Sequence, residues 1–501
     1  MKNKFRNTDS AIKAGDLILT EQPFAFVLSS KERGIRCDNC LEKGKVLKCS
    51  GCQFVHYCGR SCQRDAWGDH KWECANLKRV SPKVIPDAAR MLAKIINRLS
   101  RGDGHSYRAF YSATSFRMWK DLMSHYSDLK TDQKRMEHFA SLCRVLHEFL
   151  KDISLPNAVE MMGLFGRMVI NSFTILDIDM NSIGTGVYLA SSIVDHSCDP
   201  NAVATFDGKT INIRALRDMP CLDWNQIRIS YIDLMQTPYE RQRELLENYY
   251  FLCQCDRCMD DEQLKTVHAA NCLNPNCDNP IVIPWKENCQ LVMKPEQNGH
   301  KQNGYHDQNG QNHNENGIDC EENGQGEVND NHKENGTDDV TRCDECGSKF
   351  TEEQKEIFVK AMEFTELHLR NMKDASVAYV DVCVYCLSQQ RDVLHALNVT
   401  HAQTLDHAFD ALLLVRMWDR ALAVAAQLLP AFRFYYGDRH PLLGLLHVKY
   451  GKILLYKMDL ENALEQLKCA EKILRITHGV KHPLYKDQLL PLLTQATLES
   501  S

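Results

Sequence analysis

The chain has 501 residues, enough for about two to four domains, each with a core of its own. Hydrophobic residues at 44% and charged residues at 25% are ordinary globular values, and a net charge of -6 excludes a globally basic nucleic-acid binder. The opening MKNKFRNTDS has no apolar signal-peptide core, and no stretch approaches the roughly 20 apolar residues of a membrane span, so an intracellular, reducing compartment is expected.

In chain order, residues 11–29 (AIKAGDLILTEQPFAFVLS) predict short strands broken by a Gly-Asp turn. A cysteine-rich block follows from Cys37 to Cys74. Residues 86–155 carry helical periodicity, with Met91, Ile95, Ile96 and Leu99, then Leu142, Val145, Leu146 and Leu150, on common faces. Between Phe173 and Tyr231 the texture becomes short β-rich runs, and Asp207-Gly208 in ATFDGKTINI predicts a hairpin. Residues 297–340 repeat Asn-Gly without apolar strands to flank it. That tract cannot bury enough apolar area to offset its chain entropy, and disorder is expected. From 351 onward the pattern is helical. YYGDRHPLL at 435–443 and THGVKHPLY at 477–485 each open a helical segment, which predicts helix-pair repeats longer than the roughly 34 residues of a tetratricopeptide unit.

The 22 cysteines are clustered, and in a reducing compartment clustered cysteines hold metal rather than disulfides. The first block supplies two tetrahedral sets: Cys37, Cys40, Cys58 and Cys62, and, interleaved with them, Cys49, Cys52, His70 and Cys74. A module this small cannot stand on its own core, and structural zinc can supply on the order of 10–16 kcal/mol. The run CQCDRC offers Cys253, Cys255 and Cys258 but lacks a fourth ligand. Cys198, in the tight loop of VDHSCDPN, completes the set. The rival reading of this loop, a nucleophile Cys198 activated by His196, lacks an oxyanion element nearby. Cys272, Cys277, Cys343 and Cys346 form a ribbon-like set split by the low-complexity tract, which costs little because loop-closure entropy grows logarithmically. Cys383 and Cys386, in DVCVYCL, read as core packing.

GTGVYLASSIVDHSCDPNA, ISYIDLMQTPYERQRELLENYYFLCQCDRC and the Cys37–Cys74 block together resemble the SET and MYND-domain (SMYD) lysine methyltransferases, over nearly the whole chain. The helix starts around HP are most similar to the compact animal subgroup. The resemblance implies an α+β fold: a split β-rich SET domain with an inserted MYND zinc finger and helical insert, a cysteine-rich post-SET segment, and an all-α tetratricopeptide-like C-terminal domain. The expected division is 1–36 for the first part of SET, 37–74 for the finger, 75–170 for the helical insert and 171–245 for the SET core. It continues with 246–260 for the post-SET zinc segment, 261–350 for a split zinc ribbon and 351–501 for the helical domain.

The resemblance also assigns roles. Tyr231 matches the catalytic tyrosine and a cofactor contact. Asn171, Asp195, His196, Phe251 and Tyr126 match positions at S-adenosylmethionine, while Phe173 and Tyr249 match the lysine channel. Zinc is then structural: two ions in the finger, one post-SET and a fourth in the ribbon. Methyl transfer needs a neutral amine lined up with a sulfonium methyl, and an aromatic, water-poor channel favours the uncharged amine. Two positions depart from the family pattern. The region of its short Gly-x-Gly stretch reads KFRNTDSAIKAGD, and its usual asparagine is Asp195, a carboxylate that would need compensation if buried.

The implied function is protein-lysine N-methylation of histone or non-histone proteins by a monomer, in cytoplasm and nucleus. The competing reading is an inactive adaptor that binds proline-containing peptides through its finger and a second partner through its helices. A third, DNA contact through Lys45, Lys48, Arg60, Arg64 and Lys71, competes with an ordinary solvated surface.

Overall fold

A computed structural model describes residues 10–151, 154–285, 341–375 and 379–500. The tract at 297–340 and residues 4–9 of the N-terminal stretch lie outside the described residues.

The fold is α+β. Gly15, in the left-handed region at φ +90°, turns the chain into β1 (Leu17–Glu21), so the Gly-Asp turn precedes the first strand. The break before β2 (Ala25–Leu28) comes instead at Gln22 to Phe24, where Pro23 has no N–H to donate to a ladder, and the two strands enter different sheets. The cysteine block folds around a short pair, β3 (Leu47–Lys48) and β4 (His56–Tyr57), followed by α1 (Arg60–Val80). This helix runs on past Cys74, because Leu77 and Val80 continue its buried face.

The insert comprises α2 (Asp87–Ser100), α3 (Asp103–Ser106), β5 (Ala109–Phe110), β6 (Phe116–Arg117), α4 (Tyr126–Thr131), α5 (Gln133–Phe149) and α6 (Ala158–Asn171). The helical periodicity holds for α2, which buries Met91, Leu92, Ile95, Ile96 and Leu99. It is interrupted by the β5–β6 hairpin, where the Phe110 and Phe116 rings pair across strands at 5.4 Å.

The β-core follows: β7 (Ser172–Leu176), β8 (Ser182–Val187), β9 (Asp195–His196), β10 (Ala202–Asp207), β11 (Thr210–Ala215) and β12 (Arg228–Ile229). One antiparallel sheet has the order β1-β11-β10, another β2-β8-β7, and β12 pairs in parallel with β9. The β10–β11 turn falls one residue later than the Asp207-Gly208 pair suggests. Asp207 pairs with Thr210, which leaves Gly208 (φ +55°) and Lys209 at the turn. Register decides this: Ile211, Ile213 and Ala215 alternate inward and are fully buried, and a one-residue slip would expose all three.

α7 (Pro238–Tyr249) starts with a capping box between Thr237 and Glu240 and a proline in its first turn. After α8 (Asp261–Val267), the C-terminal region is a run of helices: α9 (Glu352–Ala375), α10 (Val380–Gln390), α11 (Val399–Leu414), α12 (Trp418–Tyr436), α13 (Pro441–Tyr456), α14 (Leu460–Thr477) and α15 (Leu490–Glu499). The two HP echoes share a device. Nδ1 of His440 accepts from the amide of Leu442, and Nδ1 of His482 from that of Leu484, each at 3.2 Å. The helices dock on the β-core through Nε2 of His482 on the carbonyl of Phe206 and through Arg439 on that of Leu216.

Candidate active site and metal centres

The sulfur groups come first because they pin the loops. Four sets of ligand atoms converge, each within 4.8 Å of one another: Cys37, Cys40, Cys58 and Cys62; Cys49, Cys52, His70 and Cys74; Cys198, Cys253, Cys255 and Cys258; Cys272, Cys277, Cys343 and Cys346. Ligands about 2.3 Å from a tetrahedral zinc lie about 3.8 Å apart. The separations match: Cys40–Cys58 3.8 Å, Cys49–Cys74 3.8 Å, Cys198–Cys253 4.0 Å and Cys277–Cys343 3.6 Å. The donor sets therefore fit a thiophilic divalent metal.

Surroundings compensate the thiolate charge. Nδ1 of His70 faces Glu73, a buried carboxylate that Arg90 holds from α2; such an outer carboxylate fixes a ligating ring. At the Cys198 set, Arg257 donates to the carbonyl of Cys198 at 2.9 Å, and Arg241, fully buried, points Nη2 toward Cys258. Cys383 and Cys386 are buried apart from these sets, with Cys383 Sγ 3.7 Å from Met372 Sδ.

The loop containing VDHSCDPN is held from both sides. Glu21 of β1 accepts from the amides of Ala190 and Ser191 and from the Ser191 hydroxyl, which fixes the turn leading into Val194. Asn201 donates to the carbonyl of Gln226 and accepts from the amide of Arg228, tying β12 beside the loop. Cys198 then joins the post-β12 segment through its sulfur partners. Cys198 is fully buried among them, which disfavours it as a nucleophile although His196 stands beside it.

Where β9 and β12 run together, a cavity of about 620 Å³ opens, within the roughly 300–1,000 Å³ of small-molecule sites. Seven of the residues assigned from resemblance line it: Asn171, Phe173, Asp195, His196, Tyr231, Tyr249 and Phe251. Tyr126 does not. It begins α4 and packs into the core beside it, while its neighbours Met123 and His125 reach the cavity wall. The backbone explains this: His125 is left-handed at φ +47°, bonded to Asp128 at 2.9 Å and packed on Tyr250, so it is turned toward the wall.

Asn171 spends both amide hydrogens on the carbonyls of Met123 and Arg167, so it offers the cavity an acceptor. The Tyr231 hydroxyl donates to the carbonyl of Val194 at 2.5 Å, and its ring packs on Tyr249 at 5.0 Å. Burial, then the charge of Asp195, pushes the Tyr231 phenol well above its ordinary value, so the oxygen keeps its proton. Asp195 is not the buried carboxylate that would need compensation: its side chain is 71% exposed and lies 3.7 Å from Arg228. An acid at the cavity mouth keeps its hydration and needs no internal counter-ion. Arg228, Ser192 and Ser230 also line the cavity and were not singled out from sequence, although all three lie in or beside the quoted motifs.

The helical region forms part of the surround. Tyr436 donates to Asp233 at 2.8 Å, Gln403 donates to the carbonyl of Met235, and Tyr231, Tyr249 and Phe251 pack against the helical core. Lys45, Lys48, Arg60, Arg64 and Lys71 are all exposed on the finger.

The profile of the MYND finger family matches residues 37–74. The chain is 27% identical over 487 residues to the human protein named histone-lysine N-methyltransferase SMYD3, covering 96% of this chain and 92% of that one. It is 26% identical to Arabidopsis thaliana histone-lysine N-methyltransferase ASHR1, over 98% of this chain and 92% of that one. Similarity to Danio rerio N-lysine methyltransferase SMYD2-B, 29% identical, spans 51% of this chain and 58% of the relative. End-to-end likeness to such proteins, a MYND finger between the first strands and the rest of the β-core, and a thiol-pinned loop beside an aromatic cavity make the chain similar, over nearly its whole length, to the SET and MYND domain (SMYD) lysine methyltransferases.

Proposed function

We propose that the chain is an S-adenosylmethionine-dependent protein-lysine N-methyltransferase, acting on histone or non-histone proteins of the nucleus and cytoplasm. The observation that carries this reading is Tyr231, its hydroxyl fixed by Val194 and its ring set against Tyr249 in a cavity also lined by Phe173 and Phe251. The relatives' names support it. When bound, S-adenosylmethionine supplies an electrophilic methyl group on a sulfonium. Asn171, Asp195, His196, Tyr231 and Phe251 are the residues that would hold it, and Phe173 and Tyr249 would line the lysine channel.

The chain's own residues do the rest. Aromatic walls make the ammonium form of an entering lysine costly, so the amine sheds its proton toward the open, charged side where Asp195 meets Arg228. Tyr231 already donates its proton to Val194 and stays neutral, so its oxygen accepts from the amine and steers it rather than acting as base.

The division into SET core, finger, insert, post-SET segment, ribbon and helical domain is part of this proposal, with four structural zinc ions. So is a role for the finger as a dock for proline-containing peptides, since Leu47 and Trp67 expose apolar surface there. The test uses the zinc-loaded full chain with labelled S-adenosylmethionine and a histone and cytosolic protein pool. Methyl-lysine found by mass spectrometry, and lost in Tyr231→Phe, supports the enzyme. Micromolar cofactor binding without transfer to any protein would favour the adaptor.

A further inference from the structure

A second cavity, of about 210 Å³, lies between the finger and the β-core, away from the residues described above. Its walls come from four places in the sequence. The β1–β2 connection gives Gln22 to Phe26, α1 gives Asp69 and Trp72, α2 gives Lys94, Asn97 and Arg98, and the β10–β11 turn gives Lys209. On α2 the positions 94, 97 and 98 are spaced by three and four residues, so all three side chains leave one face.

What the cations among them lack, among the described residues, is a hydrogen-bonded carboxylate. Lys94 is 16% exposed, its Nζ makes no hydrogen bond among the described residues, and the carboxylate oxygen of Glu73 is 4.0 Å away. Glu73 is already committed to Arg90 and His70. The Asn97 side chain, 8% exposed, also lines the void and makes no hydrogen bond among the described residues. Lys209 reaches Asn39 at 2.9 Å, and the Phe26 ring lies between the two lysines, 5.3 Å from Lys94 Nζ and 4.6 Å from Lys209 Nζ. Arg98 bonds the carbonyl of Phe24 and stacks on its ring. Against these three cations stands Asp69, exposed at the rim. Burial pulls both lysines below their ordinary value.

Three cations around one void, with a single exposed carboxylate at its rim, leave net positive charge facing the void, which favours an anionic ligand. Ammonium groups only donate, and the void is smaller than the roughly 300 Å³ of the smallest drug-like sites. We propose that this cavity binds a small oxyanion, of phosphate or carboxylate type, through Lys94, Asn97 and Lys209. Because its donors come from α2 and the β10–β11 turn, the anion ties the helical insert to the β-core. The proposal is independent of methyl transfer.

The test is competitive acetylation of the natural, zinc-loaded chain with acetic anhydride, at constant ionic strength, with inorganic phosphate or acetate against chloride. Labelling of Lys94 and Lys209 at least threefold slower in phosphate or acetate, with exposed Lys45 and Lys78 unchanged, is the expected result, and the more protective anion identifies the preferred class. Equal labelling of all four lysines in every salt overturns the proposal. In parallel, Lys94→Met keeps the apolar stem and should weaken phosphate binding at least tenfold by calorimetry. Undiminished binding in that variant also overturns it, and if the variant does not fold, Asn97→Ala is read in the same way beside the labelling result.

Discussion

Nε2 of His196 lies 3.3 Å from Sγ of Cys198, while Nδ1 of the same ring accepts the amide hydrogen of Tyr231 at 3.0 Å. Because Nδ1 is the acceptor, the ring hydrogen sits on Nε2 and is donated to sulfur. One imidazole thus links a metal-ligand candidate to the backbone of the residue assigned to catalysis. His196→Ala should therefore weaken both metal retention at the Cys198 set and cofactor binding, by about 10–100-fold. Metal release to a chromophoric chelator and a cofactor titration measure the two. If neither moves, the ring only fills space.

Tyr231→Phe removes one hydrogen bond, to Val194, worth about 1 kcal/mol, and leaves the ring stack on Tyr249 intact. The variant should fold, bind cofactor within about threefold of the natural chain, and lose at least tenfold in transfer rate, because the lost oxygen acts on the amine. A loss confined to cofactor affinity would assign Tyr231 to binding alone.

Elemental analysis of the natural chain should find four zinc ions, and Cys198→Ser should lower that to three. The lost ion frees the loop that β9 and β12 share, so cofactor binding should fall with it, while α1 and the finger keep their helical signal. Retention of all four ions in the variant would separate Cys198 from the Cys253, Cys255 and Cys258 set.

Three histidines in tight turns, two of them in the HP echoes, carry a pH dependence. Nδ1 of His395, His440 and His482 each accepts from the amide two residues on, and Nε2 of His395 and His482 faces a carbonyl. Protonating Nδ1 breaks that bond, which at His440 is the N-cap of α13. Burial holds all three below the ordinary histidine value, His440 down to about 3. A lowered folded pKa means the unfolded chain binds more protons below about pH 6.5, so stability is full above that point and falls as the pH drops toward the folded values. Urea midpoints of the zinc-loaded chain should decline from pH 7 to pH 5.5, and His440→Asn, which keeps a cap acceptor, should flatten the decline.

Asp195→Asn tests the departure at the cavity mouth. With the carboxylate 71% exposed, folding stability should change by no more than about 0.5 kcal/mol, and cofactor affinity by only a few-fold. A gain of tenfold or more would identify this position as a handicap to the pocket.

The legible features were those written in short spacings. The finger's cysteines pair across turns of two or three residues, and the HP helix starts mark themselves by a proline and the histidine before it. Cys198 was legible for another reason: three cysteines in CQCDRC leave a tetrahedron one ligand short. The β10–β11 hairpin was legible except for its turn, which slid by one residue because the inward alternation of Ile211, Ile213 and Ala215 sets register more strongly than a dipeptide does.

Ligand number and spacing, periodic burial and cap chemistry act over a few residues, so the sequence by itself determined the metal groupings, most of the element types and the motif that carries the family resemblance. Only tertiary structure decided which way side chains turned. His125 rather than Tyr126 reached the cavity because the backbone at that point is left-handed, and Asp195 faced water beside Arg228 because β12 lies alongside β9. The junction cavity draws on residues from Gln22 to Lys209, brought together by packing of four separate elements, and no local pattern could record a void that exists only after they meet.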